Sequence, residues 1–203
     1  IGCLEGRETM KPLILASQSP RRRELLALYG VPFEVEPSLA DESQVTGAGA
    51  ERVRQLAQAK CDEVVRRHPG RAVLAADTLV CVDNDVLGKP KDARDAARML
   101  HKLSGRSHQV YTGVCLRLQD GRELCGVEET QVTFMPLTDE IINRYVATGE
   151  PADKAGAYAI QGAAGVLITA IEGSPSNVIG LPLGLLTRMF LEAGIDFFPQ
   201  AEH

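Results

Sequence analysis

Residues that could act on a phosphate are scattered through the first ninety positions. Asp77 follows the apolar run Arg71–Ala76. An acid just past the carboxyl end of a buried strand is where open α/β sheets place their chemistry, and a carboxylate there can take a proton from an attacking water. Its other reading is a cap or turn residue. Asp41 and Glu42 are neighbours on a polar stretch; they read either as oxygen ligands for a hard divalent cation or as a solvated acidic loop. Lys60 and Lys89 could take up charge developing on a phosphate, or act as surface cations, Lys60 by snorkelling. Ser17, Ser19, Arg21, Arg22 and Arg23 crowd one predicted helix start. Cations there oppose the helix dipole by roughly 0.3–1 kcal/mol each. A bound polyphosphate would give them a partner; arginines pointing into water is the alternative. Taken together, the set suits metal-assisted attack of water on a phosphate.

The elements that must position these groups follow from periodicity. Leu13–Leu15 reads as a buried strand, Ser19 as an N-cap and Pro20 as the first helical residue. Leu25, Leu26 and Leu28 give that helix its apolar face, and Gly30 stops it. Val31–Val35 is a second strand. Ala50–Arg67 carries Val53, Leu56, Ala57 and Val64 on one stripe, with Lys60 at its edge. Arg71–Ala76 and Leu79–Val82 read as two strand runs separated by Asp77-Thr78. Asp92 caps a helix to Leu103, with Ala93, Ala96, Leu100 and Leu103 inward. Residues 108–118 and 123–134 alternate around the Asp120-Gly121 turn, with Glu128, Thr130 and Thr133 on a wet face. Thr138 caps a helix to Thr148. Glu150–Gly165 is a long polar loop of the kind that tends to be functional. Val166–Ile171 is a strand, Gly173–Asn177 a turn, and Leu181–Ala193 the last helix.

Composition excludes several classes. A net charge of −5 argues against a protein that coats nucleic acid, though a local basic pocket can still focus positive potential on a small anion. No apolar run approaches the roughly 20 residues of a membrane span. The cysteines (Cys3, Cys61, Cys81, Cys115, Cys125) are scattered and form no CxxC. This fits a reduced, cytoplasmic protein without a zinc site. Neither a GxSxG elbow nor a strand followed by GxGxxG is present. Residues 1–9 have little pattern and read as a leader, with residues 10–203 as one domain.

The motifs LASQSPRRRELL, FEVEPSLADES, QLAQAK, AADTLV, LGKP, KLSGRSHQVYTGV, EPADKAGAYAIQG and SNVIGLPL occur in this order. With them the chain resembles the Maf family of nucleoside triphosphate pyrophosphatases, over nearly its whole length. The resemblance implies an α/β fold, a highly twisted mixed sheet with flanking helices and two lobes around a deep cleft, similar to inosine triphosphatase. It implies cleavage of a nucleoside triphosphate to the monophosphate and pyrophosphate with a divalent cation, Mg2+ or in its place Mn2+. Asp77 would then be the proton acceptor, and Glu42, with Asp41, would act with the metal. Ser17, Ser19, Arg21, Lys60 and Lys89 would bind phosphates. Arg21, Thr78 and Gln161 match the positions that separate substrate types. The run DKAGAYAIQG resembles the branch acting on dTTP and UTP, and a glutamine amide offers the donor and acceptor that a thymine or uracil edge needs. Two departures are visible: Arg23 stands at a variable position and receives no role, and Pro175 replaces an aromatic residue. The expected partner is a free nucleotide, with no nucleic-acid polymer and no membrane; a homodimer is compatible with the sequence. A nucleotide-binding regulator of cell division, with hydrolysis incidental, is the alternative reading.

Overall fold

A computed structural model describes residues 11–198; the suggested leader, 1–9, and Met10 lie outside them. In chain order the elements are β1 (Leu13–Leu15), α1 (Pro20–Ala27), β2 (Phe33–Val35), α2 (Gly49–Arg67), β3 (Val73–Val82), β4 (Asp85–Leu87), α3 (Ala93–Leu103), β5 (Ser107–Arg117), β6 (Glu123–Phe134), α4 (Asp139–Ala147), β7 (Ile168–Glu172), α5 (Pro175–Ile179) and α6 (Leu183–Ala193). The strands form one mixed sheet of seven in the order β2-β1-β3-β5-β6-β7, with β4 also on β3. This is the mixed α/β sheet with flanking helices expected from the sequence.

β3 is the axis of the molecule. β5 pairs with it antiparallel from Val73 to Cys81 and fills one edge. The other edge is shared. β1 runs parallel along its start, Leu15 opposite Leu74, and β4 turns back along its end, with Leu87 opposite Val80. Between those two pairings β3 has no strand partner on that edge among the described residues. The two short runs expected around Asp77 are therefore one ten-residue strand, VLAADTLVCV, with Asp77 inside it rather than past its end. The strand stays continuous because its neighbour β5 is continuous; only the opposite edge is interrupted.

Strand alternation then sorts the side chains by face. Even-numbered residues of β3 face two separate apolar clusters. At one end Leu74 packs with Leu13, Leu26, Leu116 and Phe190, under α1 and α6. At the other, Val82 packs with Leu100, Leu103, Phe134 and Ile142, under α3 and α4. These two clusters are the cores of the two lobes. Odd-numbered residues face α2, which lies along the opposite side. Val53 and Leu56 cover Leu79 and Cys81; Ala57, Cys61 and Val64 cover Val73, Ala75 and Cys115. α2 reaches the sheet closely because Gly113, opposite Asp77 in register, has no side chain. A Cβ there would stand 2.2 Å from the Val53 carbonyl oxygen.

Caps form as the sequence predicts at Ser19, Asp92 and Thr138, and Gly30, Gly105 and Gly194 adopt left-handed stops. Other expectations are corrected by packing. Leu28 is 62% exposed, and Tyr29 fills the core instead. Ala93 faces solvent, and Met99 is buried. Thr130 is fully buried rather than wet, because the segment after β7 folds over it. That segment is not a turn: Ser174 caps α5, with Pro175 in its first turn. Among the described residues, no helix is long and apolar enough to cross a membrane.

Candidate active site

The interrupted edge of β3 opens into a cleft of about 840 Å³ between the lobes, within the usual size range of ligand sites. Because that edge is free, the cleft touches groups on both faces of the sheet. On the α2 face, Asp77 is 8% exposed and its Oδ1 accepts from Lys60 Nζ at 2.5 Å. The same ammonium lies 3.0 Å from Glu42 Oε1. One cation therefore bridges two carboxylates that are distant in sequence. Lys60 neither snorkels nor lies free: its side chain is largely covered, whereas that of Glu42 is mostly exposed. The register of β3 turns Asp77 towards α2, and the approach of α2 over Gly113 brings Lys60 to meet it.

The opposite face carries a hydrogen-bonded polar chain that starts at a buried guanidinium. Arg22 Nε donates to the Gly180 carbonyl at 2.7 Å, and its terminal nitrogens donate to Ser17 Oγ at 3.3 Å and Thr78 Oγ1 at 2.9 Å. Thr78 and Thr112 share a hydroxyl–hydroxyl bond of 2.8 Å, and Thr112 donates to the Asn177 carbonyl. Asn177 Nδ2 in turn donates to the Val110 carbonyl and to Thr130 Oγ1, both at 3.0 Å. This chain ties α1, β3, β5, β6 and α5 together where the two apolar clusters part. Arg22 is only partly covered as a residue, yet its guanidinium is desolvated, and that burial presses its pKa below the usual arginine value while Asp77 opposes the shift. The crowding of arginines at α1 thus has three different resolutions: Arg22 is held by protein acceptors, Arg21 lines the cleft, and Arg23 faces solvent.

Ser17 and Ser19 stay close to the backbone they shape. Ser17 Oγ accepts from Ser19 N–H, and Ser19 Oγ caps α1 by accepting from Arg22 N–H. Both line the cleft, as do Lys89 and Gln161, which are exposed at its rim. Residues 150–167 fold into three 3₁₀ turns. The Gly156 N–H donates to the Gly88 carbonyl at 3.1 Å, joining this segment to the one that carries Lys89. Of the residues singled out from sequence, the structure brings Ser17, Ser19, Arg21, Glu42, Lys60, Asp77, Thr78, Lys89 and Gln161 to one cleft. Asp41 is the exception. Its carboxylate accepts from Ser43 N–H, Ser43 Oγ and Gln44 Nε2, bonds that lower its pKa, led by the Ser43 side chain. It caps its own 3₁₀ turn and does not line the cleft.

Arg52 and Lys154 are two basic cleft residues that the sequence reading does not single out. Arg22 it does place at the helix start that a polyphosphate would partner, but no local pattern shows a guanidinium aimed at a distant carbonyl. Arg52 could have been found: Arg52, Leu56 and Lys60 recur every fourth residue and so share a helix face, and all three line the cleft. Lys154 lines it too, paired with Asp153, whose pKa is lowered chiefly by that lysine.

The donor chemistry fits a hard divalent cation at Glu42 and Asp77. Both are oxygen ligands, and their carboxylates already converge on one positive group, the Lys60 ammonium. Such a cleft, basic on a protein of net charge −5, defines an anion-handling α/β protein with a carboxylate–lysine centre. Residues 12–193 match the family described as Maf-like protein, and the chain belongs to that family. It is 52% identical over 190 residues to the dTTP/UTP pyrophosphatase of Symbiobacterium thermophilum, covering 93% of this chain and 97% of that one. The protein of the same description from Bacillus pumilus is 45% identical over 190 residues, covering 93% and 100%. Among solved structures, a HAM1 protein from Coxiella burnetii aligns over 91% of this chain and 99% of that one, at 14% identity and a TM-score of 0.49.

Proposed function

We propose that the protein is a nucleoside triphosphate pyrophosphatase that hydrolyses dTTP and UTP to the monophosphate and pyrophosphate. The observation that carries this reading is the Lys60 ammonium bridging Asp77 and Glu42 inside a basic cleft. Asp77 accepts the proton of the attacking water, and Lys60 fixes the orientation of its carboxylate. Arg21 and Lys89, with Ser17 and Ser19, hold the phosphate chain. Gln161, at the rim, reads the base through paired donor and acceptor bonds, and Thr78 and Arg21 contribute to that choice. Glu42 and Asp77 would hold a divalent cation, Mg2+ or in its place Mn2+, which would supply charge neutralisation for the phosphates and polarisation of the anhydride. Asp41, occupied by its own turn, is left out of the ligand set. Relatives about half identical to this chain and named dTTP/UTP pyrophosphatase support the substrate. A cytoplasmic location belongs to the same reading.

The test is a panel of nucleoside triphosphates assayed for pyrophosphate with Mg2+ present. dTTP and UTP are expected to be consumed far faster than ATP, GTP or CTP, because a site built on paired hydrogen bonds strongly rejects a base that leaves them unmet. Equal turnover of all of them would reject the role of Gln161. Nucleotide binding without pyrophosphate release would reject the enzyme and favour a binding regulator.

A further inference from the structure

On the α2 face of the sheet, outside the lining of the cleft, three of the scattered cysteines come together. Cys115 on β5 and Cys125 on β6 are direct register partners, with Sγ atoms 2.9 Å apart. Cys61, on α2, packs over the buried Cys115 and donates to the Val73 carbonyl. Cys125 is the partly exposed member, and Cys115 is buried. Neither Cys115 nor Cys125 lines the cleft. We propose that Cys115 and Cys125 form a dithiol that reduces a hydroperoxide and closes into a reversible cross-strand disulfide.

The step balances. The Cys125 thiolate attacks the peroxide oxygen, the O–O bond breaks, and an alcohol or water leaves; Cys125 becomes a sulfenic acid. The Cys115 sulfur then attacks that sulfenic sulfur, an S–S bond forms and water departs. Two thiols are oxidised and one hydroperoxide is reduced. The arrangement assigns the roles. The attacking sulfur should be the one that solvent reaches and that is most readily a thiolate, and the Cys125 thiol is pulled below its usual pKa, first by the bond with Cys115, with Arg54 adding to it and Glu123 opposing. The resolving sulfur is already in place across the ladder, and directly opposed residues of neighbouring strands lie within the Cα separation a disulfide tolerates.

A metal is the competing use of this cluster, since Glu123 stands beside both thiols. The surroundings argue against it. Glu123 is committed to Arg117 and to Gln58, so a dication bound there would meet a guanidinium at that carboxylate. Two thiolates on one tetrahedral zinc also stand about 3.8 Å apart, given Zn–S bonds of about 2.3 Å, wider than these two sulfurs.

The experiment treats the purified full chain with hydrogen peroxide, blocks the remaining thiols by alkylation and maps the peptides by mass spectrometry. A Cys115–Cys125 cross-link reversed by dithiothreitol is expected to dominate, with Cys61 and Cys81 still alkylated after unfolding. In Cys115→Ser, dimedone should trap the sulfenic acid on Cys125; in Cys125→Ser, the cross-link should vanish. A dominant Cys61–Cys115 link, oxidation confined to Cys3, no link in the folded wild-type chain, or stoichiometric zinc shielding these thiols would each overturn the proposal. The wild-type map decides even if a variant fails to fold.

Discussion

Asp77 and Lys60 form a close, largely covered ion pair in the cleft, at 2.5 Å, and their chemistry is separable. Asp77→Asn keeps the shape and the hydrogen bonding but cannot take a proton. It should lower kcat by about 10²–10⁴-fold, the usual contribution of a general base, while nucleotide affinity measured by calorimetry without a divalent cation stays near that of the wild type. Retained turnover in this variant would move the base elsewhere. Lys60→Met removes the cation that bridges Asp77 and Glu42, and should cost about 10²–10³-fold in kcat, on the scale of losing one oriented electrostatic group. Arg22 belongs to a different category. Its bonds go to Gly180, Ser17 and Thr78, so its removal loosens the frame that presents Thr78 and the α1 start.

The helix α2 and the strand β3 are the elements that make the centre. α2 carries Lys60 about two turns beyond Val53, and the contact that sets its height above the sheet is Val53 over Gly113. Gly113→Ala would drive a methyl group into backbone 2.2 Å away, where neither side can yield without moving the helix. The substitution should destabilise the fold by about 1–3 kcal/mol or more, as overpacking does. It should also lower kcat by lifting Lys60 away from Asp77. Denaturant unfolding and kinetics on the same preparation check both; an active, fully stable Gly113→Ala would show that α2 docks independently of Asp77. On the other face, Asn177 on α5 holds Val110 and Thr130. Asn177→Ala leaves buried acceptors without a donor and should cost about 1–3 kcal/mol in stability.

At the scale of the whole molecule, charge is unevenly distributed. The cleft gathers Arg21, Arg22, Arg52, Lys60, Lys89 and Lys154 against Glu42, Asp77 and Asp153, on a chain of net charge −5. A concave basic site steers an anionic substrate, and that attraction is screened by salt. Accordingly, kcat/KM should fall steadily as NaCl is raised, with most of the change in KM; salt independence would count against phosphate recognition by this cleft. Acid stability has a separate origin. His108 is fully buried between Phe134 and Tyr158, its Nε2 is 2.7 Å from the Tyr158 hydroxyl, and burial lowers its pKa to about 4. The unfolded chain takes up that proton near pH 6.5. Stability is therefore full above pH 6.5 and falls as pH drops towards 4, by up to about 3 kcal/mol. The Glu63 carboxyl, held to about 2 by Arg67 first and further by the Leu39 amide and Ser38, loses its contribution only below the usual glutamate value. The fall in stability between pH 7 and 4 should thus be flattened by His108→Gln, whereas Glu63→Gln should lower stability evenly above the usual glutamate value and change the slope with pH only below it.

Local chemistry was legible in the sequence. Ser19 and Pro20 start a helix because a hydroxyl and a missing N–H suit an unbonded helix end, and Gly30 stops it because only glycine enters the left-handed region freely. Periods of two and of nearly four residues marked β5, β6 and α2 for the same local reason. The ordered motifs marked the family and nine residues that line the cleft. Features fixed by long-range contact were not legible. Asp41 looked equivalent to Glu42 until its turn claimed it, Thr130 looked wet until α5 covered it, and Arg22 could have met a phosphate or water, whereas Gly180 holds it. Asp77 looked like the end of a strand, whereas it lies in the middle of one whose edge is left open between β1 and β4. Residue type and spacing determine which groups are present and which local segments form. Which face of β3 each side chain takes, which carbonyl each arginine meets and which two cysteines touch depend on sheet register and helix docking, because those contacts join residues tens of positions apart.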